Sequence, residues 1–339
     1  MGEMTKRSRG FSRNASLEEL LQQINILLKS ANEALVVDAQ ERFSKVLVMG
    51  PLRSGTTLFT QWLATTSLTA YPTNLLSRFY GAPLIGARIQ QLLTDPRYNF
   101  RNEILDFNSV IDFSSENGKT KGALAPNEFW YFWRRFLPFR GLDYLPDDEL
   151  RARADLAGLR DELNALANIF EKPFSLKAMI MNQNIPVLES LFDKVLFVWI
   201  RRDPIFNIQS ALAARKRQYG DIRTWYSFKI KEYPRLKGLD PLESVAGQIH
   251  AINRSVQSAL ESVSEHHKLV IQYEDFCRDP SAYYAKIVAR LREQHGLPPG
   301  RYEYTGELQF KNTNRWWLEE YTRQQAEQAY ATISVDQRV

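Results

Sequence analysis

Residues 46–60 leave this chain few folds to choose from. Val46 to Met49 is a short apolar run with β-branched residues, bounded by Gly50 and Pro51. It reads as a buried strand. The next six residues hold two glycines and a proline and cannot continue that strand. From Thr56 the pattern turns helical, with Leu58, Phe59, Trp62 and Leu63 on one face. Strand, glycine loop and helix together aim backbone N–H groups at an anion. The free amides and positive dipole end of a helix N-terminus hold phosphate or sulfate groups. The alternative is a glycine turn that only connects strand to helix.

The loop is close to the phosphate-binding pattern G-x-x-x-x-G-K-[ST] but departs from it. Gly50 and Gly55 keep the spacing, while Thr56 stands where the lysine belongs, followed by Thr57. The positive charge has moved into the loop, to Arg53. A chain that grips the β- and γ-phosphates of a nucleoside triphosphate needs that lysine, so an ordinary ATPase or kinase is disfavoured.

A second strand follows at Val195 to Ile200, and Arg201-Arg202-Asp203-Pro204 comes straight after it. The next segment is helical, with Ile205, Ile208, Ala211 and Leu212 on one face and Ser210 within it. Arg202 at a strand's C-terminal end can present a bidentate fork to a phosphate. Ser210, eight residues on, adds a hydroxyl donor about two turns into the helix. The bland alternative pairs Arg202 with Asp203 and leaves Ser210 as a small packing residue.

The loop from Gly50 to Leu58 resembles the 5′-phosphosulfate-binding loop of the sulfotransferases, which use 3′-phosphoadenosine 5′-phosphosulfate (PAPS) as donor. The Arg202–Ser210 segment resembles their 3′-phosphate-binding segment. The resemblance covers most of residues 45–330 by order of elements and is strongest at 50–58 and 201–210. It implies an α/β fold: a single domain with a central parallel sheet flanked by helices, P-loop-like, with ligands beyond the C-terminal strand ends. It further implies that Arg53, Ser54, Gly55, Thr56 and Thr57 hold the 5′ end of the donor, with Arg202 and Ser210 on its 3′-phosphate. Lys177, at the end of a strand beginning near Pro173, matches a lysine that in the family reaches the bridging oxygen or the sulfuryl group. Lys311 and Asn314 match a C-terminal loop that folds over the donor nucleotide. PAP, the desulfonated donor, would be the product, with no metal required. One departure stands out: Asn74 lies near the place where several branches carry a glutamate base. Asn74 cannot take a proton from a hydroxyl at neutral pH, though it could orient an acceptor by hydrogen bonds.

The residues offer another base. Asn127 to Phe136 is the densest aromatic stretch in the chain, and Glu128 sits within it. One reading is a buried helix. The other is an acceptor pocket with ring faces for a sugar or lipid and Glu128 as general base, an apolar wall raising its pKa toward working range. None of the histidines, His250, His266, His267 and His295, lies beside a motif.

A length of 339 residues suffices for one large domain, and 44% hydrophobic with 24% charged residues is ordinary for a globular chain. A net charge of +5 suits an anionic ligand. Cys277 is the only cysteine, so an internal disulfide is excluded. No apolar run is long enough to cross a membrane and no secretory leader is evident, so a cytoplasmic enzyme is expected. Residues 1–15 read as a flexible basic N-terminus, and 16–339 as the catalytic domain. Ser16-Leu-Glu-Glu19 reads as a capping box opening a packing helix over 16–41, with Leu20, Ile24, Leu27, Leu28 and Leu35 on one side. Residues 147–169 read as one amphipathic helix.

The expected reaction is sulfuryl transfer to an acceptor hydroxyl, with Arg53, Lys177 and Glu128 catalytic. The acceptor stays open among a carbohydrate, a lipid-linked sugar, a small alcohol and a protein tyrosine. The rival readings are an atypical P-loop nucleotide kinase and a nucleic-acid-binding protein. The latter would need a concentrated basic stripe, which the sequence lacks.

Overall fold

β1 (Lys45–Met49), β2 (Phe174–Lys177), β3 (Val195–Arg201) and β4 (Lys268–Gln272) pair into a four-stranded sheet of order β2-β1-β3-β4. Every pair is parallel, with Leu47 opposite Leu176 on one side and Phe197 on the other. The computed structural model describes residues 7–12, 14–36, 39–98, 111, 113 and 119–335.

The helices take the intervals. α1 (Ala15–Glu33) precedes the sheet. α2 (Thr56–Thr65), α3 (Pro83–Thr94), α4 (Trp130–Phe136), α5 (Asp147–Arg153) and α6 (Leu156–Phe170) lie between β1 and β2. α7 (Ile185–Glu189) separates β2 from β3. α8 (Pro204–Tyr219), α9 (Tyr233–Leu236) and α10 (Pro241–Ser262) separate β3 from β4. α11 (Tyr273–Arg278), α12 (Pro280–Glu293) and α13 (Arg323–Val335) complete the chain order.

The central strands β1 and β3 are apolar at successive positions because both of their faces are covered. Leu47, Met49, Phe197 and Trp199 face a core shared with Leu163 of α6, Ile208 of α8 and Ile249 of α10. Val46, Val48, Val198 and Ile200 face the other, with Phe59 and Trp62 of α2, Phe276 of α11 and Ile287 of α12. Burying Phe59 alone contributes roughly 1.5–3 kcal/mol. Because β2 and β3 flank β1, the connections leaving β1 and β3 diverge. That divergence opens a crevice at the C-terminal strand ends.

Several elements differ from the sequence expectation. The helix expected over 147–169 is two helices, because the chain turns extended at Ala154 and Asp155 caps the second, its side chain accepting from the Gly158 N–H at 2.9 Å. α1 is capped by Asn14 rather than Ser16, and ends at Glu33, while residues 37–38 of the expected helix lie outside the described residues. Its buried side carries Asn25 and Asn32, and Leu20 and Leu27 are 53% and 78% exposed. The asparagines win that face by bonding backbone of the domain. Asn25 donates to Arg78 O and accepts from Gly81 N–H, while Asn32 donates to Glu162 and accepts from Leu84 N–H. Of the N-terminal stretch, residues 1–6 and 13 lie outside the described residues. Residues 7–12 pack on the end of α8, where Ser8 bonds Arg217 O and Gln218 O and Phe11 is buried. Residues 99–110, 112, 114–118 and 336–339 also lie outside the described residues.

Candidate active site

The loop after β1 is shaped by backbone constraints before any side chain acts. Gly50 has φ +131°, and a Cβ there would lie 2.6 Å from Ile200 O, so β1 and β3 can approach only at glycine. Asn182 clamps the same residue, accepting from Gly50 N–H at 3.0 Å and donating to Gly50 O at 2.8 Å. Ser54 is fully buried, its hydroxyl donating to Pro51 O at 2.9 Å. Gly55 has φ +97° and begins α2 with no side-chain cap, and a Cβ there would strike the Tyr273 ring at 2.5 Å. The first amides of α2 therefore have no intrahelical acceptor and face the cleft, an anion seat with Thr56 and Thr57 at its lip.

Arg53 sits in the left-handed region at φ +64°, a conformation a non-glycine residue holds only under constraint. Three contacts supply the constraint. Its Nε donates to Ser210 Oγ at 2.9 Å, and its carbonyl accepts from Arg202 Nη1 at 3.0 Å. Its side chain also bonds the Tyr226 hydroxyl, which burial pushes above the usual phenol range while the nearby Arg53 acts against that.

Arg202 does not pair with Asp203, whose side chain caps α8 by accepting from Ile205 N–H at 3.1 Å. Arg202 turns into the cleft, with Nε donating to Asn314 Oδ1 at 2.8 Å and Nη2 to Thr313 Oγ1 at 3.2 Å. Its guanidinium lies 4.7 Å above the Tyr273 ring. Burial lowers its pKa, with Tyr273 and Glu274 working the other way. A guanidinium that has lost solvent is primed for an anion. Glu274 holds the far side, accepting from Asn314 Nδ2 at 2.5 Å and Asp203 N–H at 3.1 Å. Burial acts to raise the Glu274 pKa, but bonds from backbone N–H groups, Gln272 and Asn314 bring it below the ordinary value.

Lys177, at the end of β2, is almost wholly buried. Its Nζ donates to Thr57 Oγ1 at 2.7 Å and to Glu128 Oε1 at 3.0 Å, and Trp130 Nε1 donates to the other oxygen, Glu128 Oε2, at 2.5 Å. Glu128 is held in place through its neighbour Phe129, whose φ is +57° and whose N–H donates to Asn127 Oδ1. Asn127 in turn donates to Asn74 Oδ1 at 2.8 Å. Asn74 spends its own amide on Gly122 O and Thr120. It thus pins the segment that carries Glu128, and it is not among the residues lining the cleft.

Arg53, Gly55, Thr56, Thr57, Glu128 and Arg202 of the expected set line one cleft, and Lys177 bonds two of them. Ser210 reaches the cleft through Arg53, and Asn314 through Arg202. Lys311 is exposed and lies outside the lining. Sequence reasoning missed Asn182, Tyr226, Tyr273, Thr313 and Glu274. Tyr226 lies in a stretch that reads only as aromatic and basic, and its sole signal is the company of Trp225 and Phe228. Among the described residues no group of three or more His, Cys, Asp or Glu could hold a metal ion. Among them also, no helix is long and apolar enough to cross a membrane.

The model of the sulfotransferase family matches residues 45–295, the span that holds the whole sheet and every lining residue of the cleft. This chain belongs to the sulfotransferase family. Among solved structures it is similar to the sulfotransferase STF9 from Mycobacterium avium, with 17% identity, a TM-score of 0.54, and coverage of 94% of this chain and 82% of that one. It is also similar to the sulfotransferase STF1 from Mycobacterium tuberculosis H37Rv, with 13% identity, a TM-score of 0.52, and coverage of 97% and 88%. No curated protein sequence matches the chain. The two structural likenesses carry the sulfotransferase fold, and the sheet order and helical layers described above agree with it.

Proposed function

We propose that this sulfotransferase-family protein transfers a sulfuryl group from PAPS to an acceptor hydroxyl. The observation that carries the reading is the bond from Arg202 Nη1 to the carbonyl of Arg53 at 3.0 Å. It joins the two anion-receiving elements in one cleft, so a compound bearing phosphate at two separated positions can meet both.

The residues present fit such a donor. The opening amides of α2 and Arg53 receive its 5′ end. Arg202 receives the 3′-phosphate, with Ser210 beside it, since accepting from Arg53 leaves the hydroxyl hydrogen free to donate. Bound there, PAPS supplies an activated sulfuryl group on a phosphate leaving group. Glu128 takes the acceptor proton as the acceptor oxygen bonds to sulfur. Arg53 and Lys177 stabilise the electron pair that stays on the phosphate oxygen as the sulfur–oxygen bond breaks, as oriented cations do in the analogous phosphoryl transfers. Trp130 and Tyr226 give the acceptor side aromatic faces, which suit a carbohydrate, lipid-linked sugar or small alcohol. A cytoplasmic setting, where the donor is available without transport, is part of this proposal.

A thermal-shift comparison tests the reading. A ligand at a hundred times its Kd stabilises by about 2.7 kcal/mol. PAP is expected to raise the melting temperature by several degrees, with ADP and ATP plus Mg²⁺ far weaker. A preference for ATP with Mg²⁺ over PAP would instead establish the kinase reading.

A further inference from the structure

We propose that Lys177 is a latch that keeps Glu128 occupied until the donor arrives, so that donor binding precedes activation of the acceptor. The inference rests on the donor reading above and concerns how the same site is ordered in time.

Three contacts carry it. The Lys177 ammonium bridges Thr57, on the first turn of α2, and Glu128. The pair is drier than a surface ion pair, with Lys177 6% and Glu128 30% exposed. Trp130 occupies the second carboxylate oxygen. A carboxylate that accepts from an ammonium on one oxygen and an indole on the other keeps about one lone pair on each, and the charge-assisted bond to Lys177 competes with an acceptor hydroxyl for Oε1.

Thr57 sits where an anion bound to the opening amides of α2 must arrive. The ammonium is already at that position, bonded to Thr57. A phosphate bearing two charges outcompetes a single carboxylate for it. When Lys177 turns toward the donor, Glu128 Oε1 is released on the side of the cleft walled by Trp130 and Tyr226. The base is then exposed only when a nucleotide phosphate occupies the seat at the opening of α2.

The test uses the full chain with PAP as probe and needs no acceptor. Isothermal titration calorimetry is run on wild type, Glu128→Gln, Lys177→Met and the double variant. In the wild type, PAP must draw Lys177 away from Glu128. Glu128→Gln removes that competition and is expected to lower the PAP Kd about tenfold, roughly 1.4 kcal/mol. In the Lys177→Met background the same change is expected to alter Kd by less than twofold, because the coupling belongs to the pair. Glu128→Asp keeps the charge but falls short of Lys177, and it is expected to tighten binding as well. This second variant serves if the amide variant does not fold.

Equal tightening in both backgrounds would mean plain repulsion by the carboxylate and would overturn the latch. So would unchanged or weaker PAP binding by Glu128→Gln in a wild type that binds PAP. A wild type that does not bind PAP at all would overturn the donor reading, and the latch with it.

Discussion

Arg202 can be tested for what it reads rather than for whether it matters. A guanidinium has five N–H donors. In this protein one is given to Asn314, one to Thr313 and one to the Arg53 carbonyl, which leaves two for a ligand. Two charge-assisted bonds at about 1.5–3 kcal/mol each give about 3–6 kcal/mol gross. Part of that is offset by desolvating the phosphate, so a net loss of about 3 kcal/mol is expected from Arg202→Gln. That is on the order of a hundredfold in Kd for PAP. Adenosine 5′-monophosphate lacks the 3′-phosphate and does not meet those two donors. Its Kd is expected to change less than threefold. Both are measured by calorimetry on the same two proteins. Equal weakening of PAP and the monophosphate would refute the reasoning, because Arg202 would then act only by propping up the Arg53 carbonyl.

Three further outcomes follow from the geometry. Arg53→Ala is expected to lower single-turnover consumption of PAPS by about 10²–10³, the range for losing one donor to a developing charge, with the melting temperature within a few degrees of wild type; turnover near the parent level would remove Arg53 from the chemistry. Gly55→Ala places a Cβ 2.5 Å from the Tyr273 ring at φ +97°, and is expected to cost about 1–3 kcal/mol in denaturant unfolding and to weaken PAP binding. On α1 the two faces should behave oppositely to their polarity. Asn32→Ala strands the buried Leu84 N–H and is expected to cost about 1–3 kcal/mol, while Leu27→Ser, 78% exposed, is expected to stay within about 0.5 kcal/mol.

The centre of the sheet was legible because strands covered on both faces carry unbroken apolar runs. Val46–Met49 and Val195–Ile200 stand out from their flanks without any need for periodicity. Arg53 and Arg202 were legible for a related reason: Arg202 follows the end of β3 directly and Arg53 lies in the short glycine loop after β1, so local order fixes their places in space. Glu128 and Lys177 could each be named from the sequence, but not their contact, because a separation of 49 residues sets no distance until the sheet and α4 are assembled. Tyr226 and Asn182 were hidden for the same reason, since each acts on the glycine loop from a remote segment. α1 misled because its leucine periodicity is real, yet the domain offers that helix unpaired backbone groups, and asparagines answer those better than leucines do. The break at Asp155 is a capping choice worth about 1 kcal/mol, too small to dominate a pattern of apolar spacing.

The peptide between Arg53 and Ser54 is grasped by a side chain from just beyond the end of β3, and this ties the loop after β1 to the turn after β3. The spacing of the two arginines is held by that bond at the backbone, with Ser210 on the Arg53 side chain and Asn314 and Thr313 on that of Arg202. A replacement that removes the side chain at position 202 takes away one of three contacts at position 53 and leaves those to Ser210 and Tyr226 in place. Drift at one place alone is therefore absorbed, whereas a lineage that lost the side chains at both 202 and 210 would be expected to retune position 53 in the same step.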